Sequence, residues 1–200
     1  MKFDAIVLAG GRSRRLDGAD KSAFVLAGTT LLERACQAVS EAQRIVIVGT
    51  VANPPDGAEV VRENPPFGGP AAGIGAGLAA LGAQGCDLVA ILACDLPYAG
   101  AAFAALHAVA VGGFDADGVI AADDSGRQQT LLGIYRTASL RTAVDRAGGL
   151  DGLSVRTLVA GLTFLEVPVP EGSTLDIDTW HDVEQWGIER KTKQHEADHD

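Results

Sequence analysis

Four basic side chains and three glycines fall within the stretch from Leu8 to Lys21, LAGGRSRRLDGADK. Glycine lets a backbone take positive φ and approach a ligand with no Cβ in the way. Backbone N–H groups in such a loop can cradle phosphate oxygens. Arg12, Arg14, Arg15 and Lys21 concentrate positive charge in a chain whose formal net charge is -10. That combination suits a small anion, above all a nucleotide phosphate; it also suits a glycine turn with solvated arginines. Spacing excludes two better-known phosphate loops. The Walker loop requires G-x-x-x-x-G-K-[ST], whereas Ala19 and Asp20 separate Gly18 from Lys21. The dinucleotide fingerprint requires G-x-G-x-x-G, which Gly10-Gly11-Arg12 breaks.

Two acidic segments offer complementary chemistry. Asp95, in C-D-L-P, directly follows the apolar run Leu88–Leu92 and its short bend. Mg²⁺ takes hard oxygen donors, commonly one or two carboxylates together with substrate phosphates, so Asp95 is the leading metal ligand. An aspartate there can equally cap the helix that follows Pro97. Asp176-Ile177-Asp178-Thr179 offers Asp178 as a second ligand, or as a helix cap. Between these segments, Gly68 to Leu78 is rich in Gly and Ala. Such a segment lets the backbone approach a nucleotide base, or lets a helix pack closely. His107, His181, His195 and His199 have no metal-ligand spacing and read as surface residues.

These residues need a scaffold that brings them together. Apolar runs at Ile6–Leu8, Arg44–Gly49, Glu59–Val61, Asp87–Leu92, Asp117–Ala121, Thr130–Tyr135, Leu162–Val167 and Leu175–Ile177 read as strands. Segments Pro70–Leu81, Ala101–Val111, Ala138–Ala147 and Leu153–Ala160 read as helices, with Pro70 in a first turn. Thr30 with Glu33 forms a capping-box pattern, and Thr179 can cap a last helix carrying Trp180, Val183 and Trp186. The alternation predicts an α/β fold: three layers around a mostly parallel sheet, Rossmann-like. In such sheets ligands bind beyond the carboxyl ends of the strands, where both the basic loop and Asp95 fall. Residues 1–190 read as a single domain and 191–200 as a polar tail.

Composition narrows the partners. A pI of about 4.7 argues against nonspecific nucleic-acid binding. Cys36, Cys86 and Cys94 are odd in number and widely spaced, which suits reduced thiols rather than a disulfide framework or zinc site. No apolar run reaches the length of a membrane span and no signal segment opens the chain. A cytoplasmic location with no membrane partner is therefore expected.

The opening string, with Arg15-Leu16-Asp17-Gly18-Ala19-Asp20-Lys21, C-D-L-P and Gly69-Pro70-Ala71-Ala72-Gly73-Ile74, resembles the nucleotidyltransferase family that includes the molybdenum cofactor guanylyltransferases. Leu16 and Asp17 stand where that family has Met and Gly. The likeness extends from Val7 to about Val183. It implies transfer of GMP from GTP to the molybdopterin cofactor, with pyrophosphate released and Mg²⁺ as cofactor. By the same resemblance, Lys21, Arg15 and Asp95 are catalytic. Leu8, Ala9, Gly10, Gly11, Lys21, Asn64, Gly69, Pro70, Gly73 and Asp95 bind the nucleotide, and Asp95 and Asp178 hold the metal. Asn64 stands where the family usually has Asp, with Glu63 beside it; D-I-D-T replaces N-x-N-T-P. Both departures leave open a CTP-dependent molybdopterin cytidylyltransferase, a sugar-phosphate nucleotidyltransferase or a nucleotide-binding regulator without turnover. Arg127 to Thr130 resemble a segment facing the acceptor substrate, although a solvated hairpin fits them equally. Transient contact with a cofactor-delivery protein or a molybdoenzyme is a further implication.

Overall fold

The computed structural model describes residues 1–11 and 13–190. Arg12 and the expected 191–200 tail, with His195 and His199, lie outside the described residues. In chain order the elements are β1 (Asp4–Leu8), β2 (Phe24–Leu26), β3 (Thr29–Thr30), α1 (Leu31–Ala38), β4 (Ile45–Val48), β5 (Glu59–Val61), α2 (Pro70–Leu81) and β6 (Leu88–Ala93). There follow α3 (Ala99–Val111), β7 (Gly118–Ala122), β8 (Gln128–Arg136), α4 (Thr137–Ala147), α5 (Val155–Leu158), β9 (Phe164–Pro168), α6 (Trp180–Gln185) and β10 (Glu189–Arg190).

A seven-stranded sheet runs in the order β5-β4-β1-β6-β8-β7-β9. β8 is antiparallel to β6 and β7, while the other pairings are parallel. Strand β1 sits near the middle and is buried along its whole length. Because side chains alternate across a strand, Ala5 and Val7 enter one core with Leu32, Phe103 and Leu106 from α1 and α3. Ile6 and Leu8 enter the opposite core with Ile74, Leu78, Leu140 and Val155 from α2, α4 and α5. Those two cores make the three layers expected of the sequence. Cys36, Cys86 and Cys94 are free thiols, and burial pushes Cys36 up to about 11.

The glycines of α2 set its height above the sheet. A Cβ on Gly77 would lie 2.7 Å from Ile6 Cγ2, and one on Gly73 would lie 3.0 Å from Leu8 Cδ2. The helix therefore rests directly on β1, and its first turn stands beside the end of that strand.

A second, smaller sheet of order β10-β2-β3 was not anticipated. It encloses a third cluster in which Leu16, Phe24, Leu31, Ile177 and Val183 are buried. Leu175–Ile177, expected as a closing strand, is irregular; β9 takes the edge of the main sheet, beside β7. Ile177 instead fills the third cluster, and its N–H donates to the Asp95 carbonyl at 3.1 Å. The expected helix Leu153–Ala160 contracts to α5. His107, expected on the surface, is half-buried, with ring centroids 5.6 Å from Phe3 and 6.3 Å from Phe103.

Candidate active site

The parallel strands end on one side of the sheet in a cleft of about 970 Å³. Leu8, Ala9, Gly10 and Gly11 line it where β1 ends. Gly69, Pro70 and Gly73 line it from the start of α2, and Arg15, Lys21, Asp95 and Asp178 bring charged side chains to it. Neighbouring strand ends hold the first loop tightly: the Ala9 N–H donates to the Val48 carbonyl at 2.8 Å, and the Cys94 N–H to the Leu8 carbonyl at 3.0 Å.

The glycines at the start of the loop do not work as turn residues. Gly10 and Gly11 stay outside the left-handed region, which Ser13 (φ 39°), Asp17 (φ 53°) and Gly18 (φ 76°) occupy instead. What Gly10 and Gly11 supply is room. A Cβ on Gly10 would stand 3.7 Å from the Val48 carbonyl, and one on Gly11 would meet nothing within 4 Å. The loop is pinned from below by Leu16, fully buried in the third cluster, and by Asp17, whose carboxylate accepts from Trp180 Nε1 at 3.0 Å. Single 3-10 turns over Arg14–Leu16 and Lys21–Ala23 carry Arg14, Arg15 and Lys21. Asp20 caps the second turn, accepting from the Ser22 N–H at 3.0 Å.

Lys21, Asp95 and Asp178 meet at one point. Lys21 Nζ donates to Asp95 Oδ2 at 3.0 Å and to Asp178 Oδ1 at 2.5 Å. Arg15 Nη1 lies 3.6 Å from Asp178 Oδ2 on the exposed side. Burial on its own would lower the Lys21 ammonium, but Asp95 and Asp178 hold it above the ordinary lysine value. Partial desolvation, then the charges of Asp178 and Asp95, raise Asp176 above the usual aspartate value, although that residue as a whole is exposed.

Neither aspartate serves as a helix cap. Helix α3 begins after Tyr98 with no side-chain cap, and α6 is capped by Thr179 in a box closed by Asp182. Asp178 instead donates its backbone N–H to Asp182 Oδ2 at 3.0 Å, which leaves its carboxylate for Lys21. The bond from the Ile177 N–H to the Asp95 carbonyl ties the two acidic segments side by side.

Asn64 is exposed and does not line the cleft; its neighbour Glu63 does. Glu63 is 8% exposed and accepts from the Phe67 N–H at 2.9 Å. That bond holds Phe67 at φ 65° with its side chain 51% exposed and the Arg62 guanidinium 4.9 Å over the ring. The sequence reading placed Glu63 only beside the candidate Asn64 and did not single out Phe67, which also lines the cleft. An acidic residue just before a double proline was the available signal. The Asp123–Arg127 segment closes on itself: Asp123 Oδ1 accepts from the N–H groups of Ser125 and Arg127, both at 3.0 Å. Of the following residues, Leu131 reaches the cleft whereas Arg127, Gln128 and Gln129 do not.

Among the described residues there is no cluster of three or more His, Cys, Asp or Glu arranged to hold a metal ion. Two carboxylates do converge on one positive centre, the Lys21 ammonium. That donor set of hard oxygens fits Mg²⁺ if phosphates supply further ligands.

A family model described as MobA-like NTP transferase domain matches residues 5–163. A molybdenum cofactor guanylyltransferase of Burkholderia ambifaria is 34% identical over 89% of this chain and 92% of its own. One from Shewanella amazonensis is 27% identical over 92% of this chain and 95% of its own. Among solved structures, a molybdopterin-guanine dinucleotide biosynthesis protein A from Archaeoglobus fulgidus superposes with TM-score 0.65 at 23% identity, covering 93% of this chain and 96% of that one. A 2-C-methyl-D-erythritol 4-phosphate cytidylyltransferase from Thermus thermophilus gives TM-score 0.66 at 20% identity, over 93% and 97%. At these identities the structural likenesses speak to the fold alone.

Proposed function

The chain belongs to the MobA-like NTP transferase family, and on that premise we propose that it transfers GMP from GTP to the molybdenum cofactor, releasing pyrophosphate. The observation that carries this reading is the convergence of Lys21, Asp95 and Asp178 in a cleft that also holds the glycine loop. A nucleotidyl transfer needs such a place, where phosphate charge is neutralised and two anions are held in line.

An oxygen of the pterin's terminal phosphate attacks the α-phosphorus of GTP. The bond from that phosphorus to the bridging oxygen breaks, and pyrophosphate leaves with its electron pair. The attacking phosphate is already ionised near neutral pH, so no general base is required. Bringing two anions together is the barrier, which positioning and fixed positive charge lower. Lys21, Arg15 and the N–H groups of Gly10 and Gly11 neutralise the triphosphate and the departing pyrophosphate. Gly69, Pro70 and Gly73 leave the base room at the start of α2. Glu63, rather than Asn64, provides the buried carboxylate in that part of the cleft.

Asp95 and Asp178 are the residues that would hold Mg²⁺, which when bound supplies further neutralisation between the phosphates. No described helix is long and apolar enough to cross a membrane. A cytoplasmic site of action, and transient contact with a protein that delivers the pterin or a molybdoenzyme that receives the product, belong to the same reading. The test is pyrophosphate release with Mg²⁺, molybdopterin and each nucleoside triphosphate in turn. Release with GTP supports the reading, and release with CTP alone moves the assignment to a cytidylyltransferase.

A further inference from the structure

We propose that Lys21 is a resident cation that occupies the metal site until a nucleotide arrives, so that a divalent ion binds the protein only weakly by itself. The proposal rests on the nucleotidyl-transfer reading only in that a triphosphate is what draws the lysine away.

The geometry is specific. The Lys21 ammonium contacts one oxygen from each carboxylate, at 3.0 and 2.5 Å. It also lies deeper than they do: the Lys21 side chain is 14% exposed, against 27% for Asp95 and 42% for Asp178. A divalent ion ligated by both carboxylates would sit between the same oxygens, at bond lengths shorter than these hydrogen bonds. Two positive charges at that separation in a partly desolvated site repel strongly, so ammonium and metal are alternatives. Apart from Lys21 and the exposed Arg15, Asp178 is open to solvent, with its side chain 42% exposed.

The lysine has the means to leave. Its four-carbon stem is flexible and its charge is compact, while its backbone is fixed by the Asp20-capped turn. It can therefore swing without disturbing the loop. Phosphate oxygens of a nucleotide in the cleft give the ammonium a new partner. The same movement frees Asp95 Oδ2 and Asp178 Oδ1 for a cation, so neither carboxylate is left unpaired at any stage. Arg15 lies at 3.6 Å from Asp178 with its side chain 75% exposed, too solvated to take over the lysine's position. Metal and nucleotide then enter together, or nucleotide first.

The experiment is Mn²⁺ binding followed by electron paramagnetic resonance. It uses the full chain alone, the chain with a non-hydrolysable α,β-methylene GTP (after subtracting Mn²⁺ held by the analogue itself), and Lys21→Met and Lys21→Gln without nucleotide. The expected result is weak binding to the unsubstituted chain and binding tighter by about tenfold or more in either variant or with the analogue, as removal of a competing charge implies. Mn²⁺ binding to the unsubstituted chain as tightly as to the variants overturns the proposal, as does absence of binding in every sample. Dinucleotide formation, measured separately with GTP, Mg²⁺ and molybdopterin, keeps the two readings apart. Turnover together with nucleotide-independent Mn²⁺ binding removes the lysine's gating role and leaves the reaction standing.

Discussion

Replacing Gly49 by alanine should damage the nucleotide loop without touching any residue that carries charge. Gly49 follows β4 at φ 146°, and a Cβ there would lie 2.7 Å from the carbonyl carbon and oxygen of Ala9 and 2.8 Å from the Gly10 nitrogen. These are backbone atoms at the end of a buried central strand, so they cannot turn aside as a side-chain tip would. Overpacking of this kind costs about 1–3 kcal/mol, and an unfavourable backbone angle adds about 1–3 kcal/mol. For a chain of this size 1 kcal/mol moves Tm by about 2–4 °C, so a combined loss of about 2–6 kcal/mol should make Gly49→Ala melt about 4–24 °C lower. Gly28→Ala is the control, because Gly28 also has positive φ (81°) but a Cβ there meets nothing within 4 Å. It should lose only the backbone part, about 1–3 kcal/mol. Circular-dichroism melts give the stabilities. Steady-state dinucleotide formation should show KM for GTP rising in Gly49→Ala and unchanged in Gly28→Ala. If the two variants melt within about 2 °C of each other, the close approach of β4 to the Ala9–Gly10 backbone is not what shapes the loop.

Asp95→Asn should abolish turnover at ordinary Mg²⁺ while leaving the melting curve nearly unchanged, with partial recovery at high Mn²⁺; a large loss of Tm with normal turnover would make Asp95 structural. Asp176→Asn should raise Tm at neutral pH. Partial desolvation and the neighbouring carboxylates raise the Asp176 carboxyl in the fold, so its protonated form favours folding below the unfolded value and that contribution is lost as pH rises through the higher folded value. The gain from Asn should therefore vanish in melts below about pH 3.8, and a gain that persists there would point to another cause. Leu16→Ala removes a fully buried side chain beneath the basic loop and should cost about 2–5 kcal/mol. It should also weaken GTP binding, measured by calorimetry, because the loop's anchor goes with it.

Much of the scaffold was legible where local chemistry decides it. Helix α2 was expected over the residues it occupies because the segment is rich in Ala and Leu and Pro70 suits a first turn. The Thr30–Glu33 box forms as written, with the Thr30 N–H donating to Glu33 Oε2 at 2.8 Å. The buried strands β1, β4 and β6 announced themselves as short apolar runs. The small sheet was not legible, because its strands are only two or three residues long and β2, besides its hairpin with β3, pairs with Glu189 and Arg190 at the far end of the chain. Leu175–Ile177 misled for the related reason that an apolar residue can be buried in a cluster without joining a ladder. At the site, the basic loop and both acidic segments were read from composition and resemblance. Their meeting at the Lys21 ammonium depends on the Ile177–Asp95 backbone bond, which no local pattern encodes. Which of the adjacent residues Glu63 and Asn64 faces the cleft was not legible, because residue type does not say which of two neighbours in a loop turns inward; Glu63 does, while Asn64 is exposed.

Mass spectrometry of the product formed when the purified protein is mixed with molybdopterin, GTP and Mg²⁺ tests the proposed nucleotidyl transfer most directly. The prediction is a single species containing both the pterin and GMP, with one pyrophosphate released for each. Tight binding of GTP with neither dinucleotide nor pyrophosphate formed would contradict it and leave a nucleotide-binding protein without turnover.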